Sequence, residues 1–116
     1  MKLNIQVREV KIGTYVIALE GELDMSTSPQ VRNTLLPLFQ KKSAHIIVDL
    51  SGVPYIDSSG IATFVEGLQL SRKGKTRFTL AGASTAVESI FELAYLKSVF
   101  EMAPDVQELL AGEESK

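Results

Sequence analysis

The sequence contains no cysteine and only one histidine, His45. The absence of cysteine excludes disulfides, thiolate metal sites and cysteine nucleophiles, and it is typical of a protein kept in a reducing cytoplasm. A metal site with several histidine ligands is excluded as well. A Ser-His-Asp triad would have to use His45, but this residue opens the apolar run 45–50, so we interpret it as a histidine at a strand edge.

The sequence also lacks a large excess of positive or negative residues, and it contains no long hydrophobic run. Twelve Lys and Arg residues stand against 14 Asp and Glu, a net charge of −2, so the whole-chain charge predicts neither a nucleic-acid partner nor an anionic membrane. Apolar runs such as residues 15–19 are far too short to span a bilayer, and residues 1–11 lack the apolar core of a signal peptide. We therefore expect a soluble, cytoplasmic protein with no direct membrane insertion.

The 116 residues fit one α/β domain, which we place at 1–111, followed by a polar tail at 112–116. Alternating or continuous apolar runs predict a mixed sheet of four to five strands, and apolar stripes at helical spacing predict about four helices. The predicted order is β-β-α-β-α-β-α-β-α, with an antiparallel hairpin first and parallel strands after it. The predicted strands are 3–7, 15–21, 45–50, 76–82 and 98–102.

Local signals place the ends of the helices. Thr27 with Gln30, and Thr85 with Glu88, have capping-box spacing. Pro37 should kink or break the first helix. Gly74 should close the second helix, and Gly112 should follow the last one.

Two sequence patterns suggest ligand sites and are set aside. Residues 74–76, Gly-Lys-Thr, lack the glycine that a phosphate-binding P-loop has five positions earlier, and they follow a helix instead of preceding one. Glu20, Glu22 and Asp24 cluster after the second strand, but their spacing is not distinctive of a metal site. We interpret the first as a helix end and the second as a solvated loop.

Residues 57–60, Asp-Ser-Ser-Gly, follow an apolar strand and begin a helix. Asp and Ser are preferred N-caps, so one of these residues could be a simple cap. Three cap candidates in a row exceed what a helix needs, and functional sites gather at strand ends in α/β sheets. The Gly-x-Ser-x-Gly elbow of hydrolases does not fit either serine, because Ile56 and Asp57 occupy the first glycine position.

Residues 55–68, together with residues 16–35, 45–60 and 78–102, resemble the STAS domain, and in particular the bacterial anti-sigma factor antagonists. The resemblance covers nearly the whole chain. It implies that Ser58 is the residue phosphorylated by a partner kinase, with Asp57, Ser59 and Gly60 as its neighbours in the same motif. It also implies that Asp24 lies near the phosphorylation site. Ala62, where many members have glycine, departs from the pattern.

The resemblance further implies a partner-switching mechanism and a protein that is not itself an enzyme and uses no cofactor. The unphosphorylated domain would bind an anti-sigma factor with a GHKL-type serine kinase fold, and so free a sigma factor. Phosphorylation of Ser58 would break that complex, and a PP2C-type phosphatase would restore it. Met25 and Ser26, with the 53–57 loop, are further candidates for partner contact. A phosphate at a helix N-terminus should meet backbone donors, so we expect the fold to tolerate it.

Two alternatives stay open at this point. A STAS domain can instead serve in another assembly, such as a lipid-transport ABC complex, a stressosome or an anion transporter. A small hydrolase using Ser58 or Ser59 with His45 is a weaker alternative, since nothing in the sequence places His45 near either serine.

Overall fold

Five strands and four helices follow one another in the predicted order in the computed structural model of the chain, which describes residues 3–114. The strands are β1 (Leu3–Lys11), β2 (Thr14–Gly21), β3 (His45–Gly52), β4 (Arg77–Ala81) and β5 (Glu101–Ala103). The helices are α1 (Ser28–Gln40), α2 (Ser58–Gly74), α3 (Thr85–Leu93) and α4 (Val106–Glu114). No helix within this described range is long and apolar enough to cross a bilayer.

The strands form one mixed sheet in the order β1-β2-β3-β4-β5. β1 and β2 make the predicted antiparallel hairpin, and every later pair is parallel. The first residues of the three central strands are in register, since Thr14 lies opposite His45 and His45 lies opposite Arg77. The carboxyl ends of these strands therefore share one edge of the sheet, where α/β folds commonly place their sites.

Two apolar layers lie on the two faces of the sheet. The larger one joins sheet residues such as Val48 to Leu35 of α1, Phe64 of α2 and Phe91 of α3. The smaller one packs Val106 of α4 against Val16, Ile47 and Ala81. This two-sided burial explains why β3 has a continuous apolar sequence instead of an alternating one.

Several predicted helix ends are shifted. The cap of α3 is Ser84, whose hydroxyl accepts from the Val87 N–H at 3.1 Å, so the predicted Thr85 cap is wrong. At the end of α2 the left-handed residue is Lys75, with φ of 59°, and not Gly74. Thr27 is the N-cap of α1, but its side chain makes no cap hydrogen bond to the helix. Helix α1 continues through Pro37 without a break, because this residue lies in the last turns and only one backbone donor is lost.

The two ends of the chain also differ from expectation. β1 extends four residues beyond its predicted end at Val7, to Lys11, as the pairing partner of β2. Helix α4 passes through Gly112 to Glu114, so the predicted polar tail begins inside a helix. Residues 115 and 116 of that tail lie outside the described residues.

Candidate functional site

The loops that follow β2 and β3 lie side by side at the carboxyl edge of the sheet. Leu23 and Ile56 form a short parallel bridge, held by the Leu23 N–H to the Tyr55 carbonyl at 3.0 Å and the Asp57 N–H to the Leu23 carbonyl at 2.9 Å. Both bridge side chains are buried. This bridge sets the N-terminal ends of α1 and α2 next to each other, so residues 24–28 and 57–60 form one surface, the paired-turn site.

Asp57 is the N-cap of α2. Its Oδ1 atom accepts from the Ser59 N–H at 2.9 Å, the Gly60 N–H at 3.3 Å and the Ser59 hydroxyl at 2.6 Å. The backbone donors of Ser59 and Gly60 are therefore already occupied. A phosphate on Ser58 would have to compete with Asp57 for these two donors.

Ser59 is engaged on both sides. It gives its single hydroxyl proton to Asp57, and its Oγ atom lies 3.0 Å from the Oγ atom of Ser28 in α1. Because the Ser59 proton is committed to Asp57, the Ser28 hydroxyl must be the donor in the second contact. Ser28 is only 5% exposed, so this contact satisfies a buried hydroxyl and ties the starts of the two helices together.

Ser58 differs from Ser59 in its exposure and in its hydrogen bonds. It is exposed, and among residues 3–114 its hydroxyl makes no hydrogen bond in the network that holds this turn. Of the two adjacent serines, Ser58 is therefore the one whose oxygen an enzyme could reach without breaking the cap.

Asp24 builds the same turn at the start of α1. Its Oδ1 atom accepts from the Ser26 N–H at 2.9 Å, the Ser26 hydroxyl at 2.6 Å and the Thr27 N–H at 3.2 Å. The site thus consists of two adjacent Asp-x-Ser turns. The middle residue points outward in both: Met25, which is 78% exposed, in the first turn and Ser58 in the second.

The paired-turn site carries negative charge. The Ser59 hydroxyl, followed by the backbone N–H groups, lowers the pKa of Asp57 although the nearby Asp24 carboxylate acts against it. The hydroxyl and N–H of Ser26 lower the pKa of Asp24 in the same way. Both aspartates are thus ionised at neutral pH, and neither residues 20–31 nor residues 49–71 contain a Lys or Arg.

Gly60 is required by close packing at the start of α2. A Cβ atom at this position would lie 2.7 Å from Cγ1 of Ile56 and 3.1 Å from Cβ of Leu23, which are the two bridge residues. Ala62, by contrast, is exposed in the second turn of the helix. Its methyl group therefore alters the outer surface and not the packing of the helix on the bridge.

His45 lies far from both serines. It sits at the first residue of β3, buried, with its Nε2 atom 2.8 Å from Oγ1 of Thr79. Both serines lie beyond the other end of this strand, whose eight residues span about 23 Å at 3.3 Å per residue. The alternative of a hydrolase triad is therefore wrong. In residues 3–114 no group of three His, Cys, Asp or Glu residues could hold a metal ion.

The chain matches known proteins over nearly its full length. Residues 4–109 match the STAS domain family. A relative named anti-sigma-B factor antagonist, from Staphylococcus aureus, is 32% identical over 105 residues, which cover 85% of this chain and 91% of that protein.

Solved structures show the same fold. The crystal structure of an anti-sigma factor antagonist from Mycobacterium paratuberculosis superposes with a TM-score of 0.85 at 22% identity, over 96% of this chain and 93% of that one. The anti-sigma factor antagonist SpoIIAA superposes in its unphosphorylated form with a TM-score of 0.83, at 23% identity over 97% of this chain and 98% of that one. SpoIIAA of Bacillus has also been solved in a phosphorylated form, at a TM-score of 0.75, 23% identity and coverage of 93% and 97%.

The chain therefore belongs to the STAS domain family, as its motifs predicted. The structure brings every predicted site residue to one surface, the paired-turn site. Sequence reasoning missed the hydrogen bond between Ser28 and Ser59. The 31-residue separation hides this contact, which joins two helix ends that the bridge between Leu23 and Ile56 sets side by side.

Proposed function

We propose that this chain is a cytoplasmic anti-sigma factor antagonist that works by partner switching, with Ser58 as the phosphorylated residue. The observation that carries the proposal is the contrast between the two serines. Ser59 is bound into the cap, whereas the Ser58 hydroxyl is exposed and makes no hydrogen bond within residues 3–114. The names of the relatives support the same role.

In the unphosphorylated state the paired-turn site would contact the anti-sigma factor. Met25 and the half-exposed Tyr55 offer apolar contact area beside Ser58, and Asp24 and Asp57 supply negative charge. A partner with basic residues at the rim and an apolar pocket for Met25 would complement this surface. The partner would be an anti-sigma factor with a GHKL-type serine kinase fold, which supplies the ATP itself.

Phosphorylation would add about −1.5 to −2 charges at Ser58. The neighbouring carboxylates and the occupied N–H groups of Ser59 and Gly60 leave this charge without a nearby partner in the chain. Burying it in the interface would therefore be costly. A cost of about 2.7 kcal/mol already lowers affinity a hundredfold. A PP2C-type phosphatase would reverse the change.

The test uses four tagged baits in extracts of the native cell: the unmodified chain, Ser58→Ala, Ser58→Glu and Ser89→Glu. Ser89 is exposed on α3, so the last variant adds the same charge at a distance from the site. We expect all baits except Ser58→Glu to capture a GHKL-type kinase. The purified kinase with ATP should phosphorylate the unmodified chain at Ser58, as located by mass spectrometry, and should not modify Ser58→Ala.

Two results would contradict the proposal. One is equal capture of the kinase by Ser58→Glu and the unmodified chain. The other is capture of a membrane permease or a stressosome particle by all four baits, which would assign the domain to another assembly.

A further inference from the structure

A cluster of basic residues occupies the edge of the sheet opposite Ser58. The loops that precede β2, β3 and β4 contain, in residues 11–13, 41–44 and 72–77, seven Lys or Arg residues and no Asp or Glu. We call these three loops the basic end. The net charge of −2 gives no sign of this cluster, because it also counts the acidic residues at the other edge of the sheet. These are Glu20, Glu22, Asp24 and Asp57.

The three loops form one continuous surface. The Ala44 and His45 N–H groups donate to the Gly13 carbonyl at 2.8 and 3.1 Å, which joins the first loop to the second. The Thr76 hydroxyl donates to the Ser43 carbonyl at 2.7 Å, which joins the second loop to the third. The register of the central strands places all three loops at the same level of the sheet.

Two of the lysines hold backbone conformations that favour glycine. Lys42, just after α1, and Lys75, just after α2, have φ values of 58° and 59°. A left-handed conformation is less favourable for a residue with a side chain than for glycine. Tyr95, just after α3, has the same conformation with a φ of 60°, so a left-handed residue follows three of the helices, and the two lysines place cations at two of these helix ends. Among residues 3–114 neither lysine forms an ion pair, so both charges face solvent.

The nearby acidic groups do not neutralise the cluster. Arg77 is paired with Glu101, which removes one positive charge from the surface. Glu9 lies at the first loop, where it accepts from the Gly13 N–H at 3.0 Å. The Nζ atom of Lys41 lies 4.3 Å from the centre of the Tyr15 ring, a cation–π contact. The basic end retains a clear positive excess.

An apolar side chain projects from the same surface. Ile12, at the turn between β1 and β2, is 97% exposed, the highest value among the large exposed hydrophobic residues described. A solvated aliphatic side chain surrounded by cations is the pattern of proteins that dock on anionic membranes. The cations are attracted to the headgroups, and the apolar tip enters the interface.

We propose that the basic end is a peripheral docking surface for an anionic lipid membrane, with Ile12 as the apolar contact and Lys42 and Lys75 as principal cations. Docking in this orientation leaves Ser58 directed away from the lipid, because it lies at the opposite ends of the same strands. This proposal does not depend on partner switching, so a test of membrane docking can succeed or fail whatever the outcome for Ser58.

The test is flotation of the purified full chain with phosphatidylglycerol-containing vesicles and with phosphatidylcholine vesicles. We expect binding to the first only, weakened by salt as the Debye length shortens. Lys42→Gly/Lys75→Gly should lower vesicle affinity about 30-fold, since each cation near an anionic surface contributes about fivefold. The same double variant should keep or raise thermal stability, because glycine relieves the left-handed strain. Ile12→Ser should lower affinity about tenfold.

Matched variants separate docking from general charge effects. Lys42→Arg/Lys75→Arg keeps the charges and should bind as the unmodified chain does. Arg32→Gln/Lys97→Gln removes two positive charges outside the three loops and should change affinity less than about twofold.

Three results would overturn the proposal. The first is no binding to anionic vesicles at low salt. The second is vesicle binding that is insensitive to Ile12→Ser and fully competed by a DNA duplex, which would indicate a general polyanion surface. The third is self-association that depends on Lys42 and Lys75 without vesicle binding, which would indicate head-to-tail pairing of basic and acidic ends.

Discussion

The buried hydroxyl of Ser28 donates to Ser59, and Ser59 donates to Asp57, so one chain of hydrogen bonds runs from α1 to the cap of α2. Chains of this kind are cooperative, because each donor polarises the next. The two turns of the site are therefore one structural unit, and the exposed Ser58 lies on a support that both helices hold in place.

The Ser28–Ser59 contact predicts a measurable coupling energy. Ser28→Ala should cost about 1 kcal/mol in the free energy of unfolding, and Ser59→Ala about 2 kcal/mol, because the latter leaves Ser28 unpaired and removes a charged hydrogen bond. Urea unfolding of both single variants and the double variant should give a coupling of about 1 kcal/mol. Ser26→Ala, at the equivalent position of the exposed turn, is the control. Strict additivity of the Ser28 and Ser59 effects would show that the contact contributes nothing.

Gly60 should tolerate no side chain, whereas Gly112 should accept one. Gly60→Ala places a methyl group 2.7 Å from Ile56, and we expect a loss of about 1–3 kcal/mol of folding stability from overpacking. Gly112 lies within α4, and outside its chain neighbours and the backbone of its own helix no atom of residues 3–114 lies within 4 Å of the position that a methyl group would occupy, so Gly112→Ala should stabilise the chain by up to about 1 kcal/mol. Thermal unfolding of both variants measures the two effects. A neutral Gly60→Ala variant would mean that α2 shifts easily on the bridge.

The sequence predicted the element order well, because this order depends on local patterns. The apolar run of β3 and the stripe of α2 identify their elements without tertiary information. The helix ends were harder to predict. Ser84 and Thr85 are both good caps, and only the backbone conformation, extended at Ser84, decides between them. Charge segregation between the two edges could not be read from a net charge, because it depends on the strand register.

The lowered pKa values of Asp24 and Asp57 predict that the folded chain loses stability in acid. Their pKa values are lower in the folded chain than the ordinary value of 3.8, because hydroxyl and N–H donors stabilise the carboxylates. A group with a lowered folded pKa contributes stability above its unfolded pKa, and this contribution is lost as the pH falls through the folded pKa. The urea midpoint should therefore fall as the pH drops below about 4.

Asp57→Asn isolates one part of this acid effect. The asparagine oxygen can still accept the cap hydrogen bonds but does not titrate, so the decrease between about pH 5 and about pH 2.5 should be smaller than in the unmodified chain. Glu66 and Glu101, whose pKa values are lowered by Arg32 and Arg77, should keep a residual decrease in this variant. An unchanged acid profile in Asp57→Asn would show that Asp57 makes no such contribution.

Phosphorylation of Ser58 should leave the fold intact, whereas a charge at Ser59 should not. The Ser58 hydroxyl holds no contact in the described network, so phosphoserine or Ser58→Glu should leave the far-ultraviolet circular dichroism unchanged and shift the free energy of unfolding by less than about 1 kcal/mol. Ser59→Glu places a carboxylate against Asp57 and displaces the acceptor of the buried Ser28 hydroxyl, and we expect a loss of about 2–4 kcal/mol. Circular dichroism and urea unfolding of the two variants distinguish the residues. Equal destabilisation by both would mean that the Ser58 side chain also supports the turn. In that case its phosphorylation would act through the fold as well as through the partner interface.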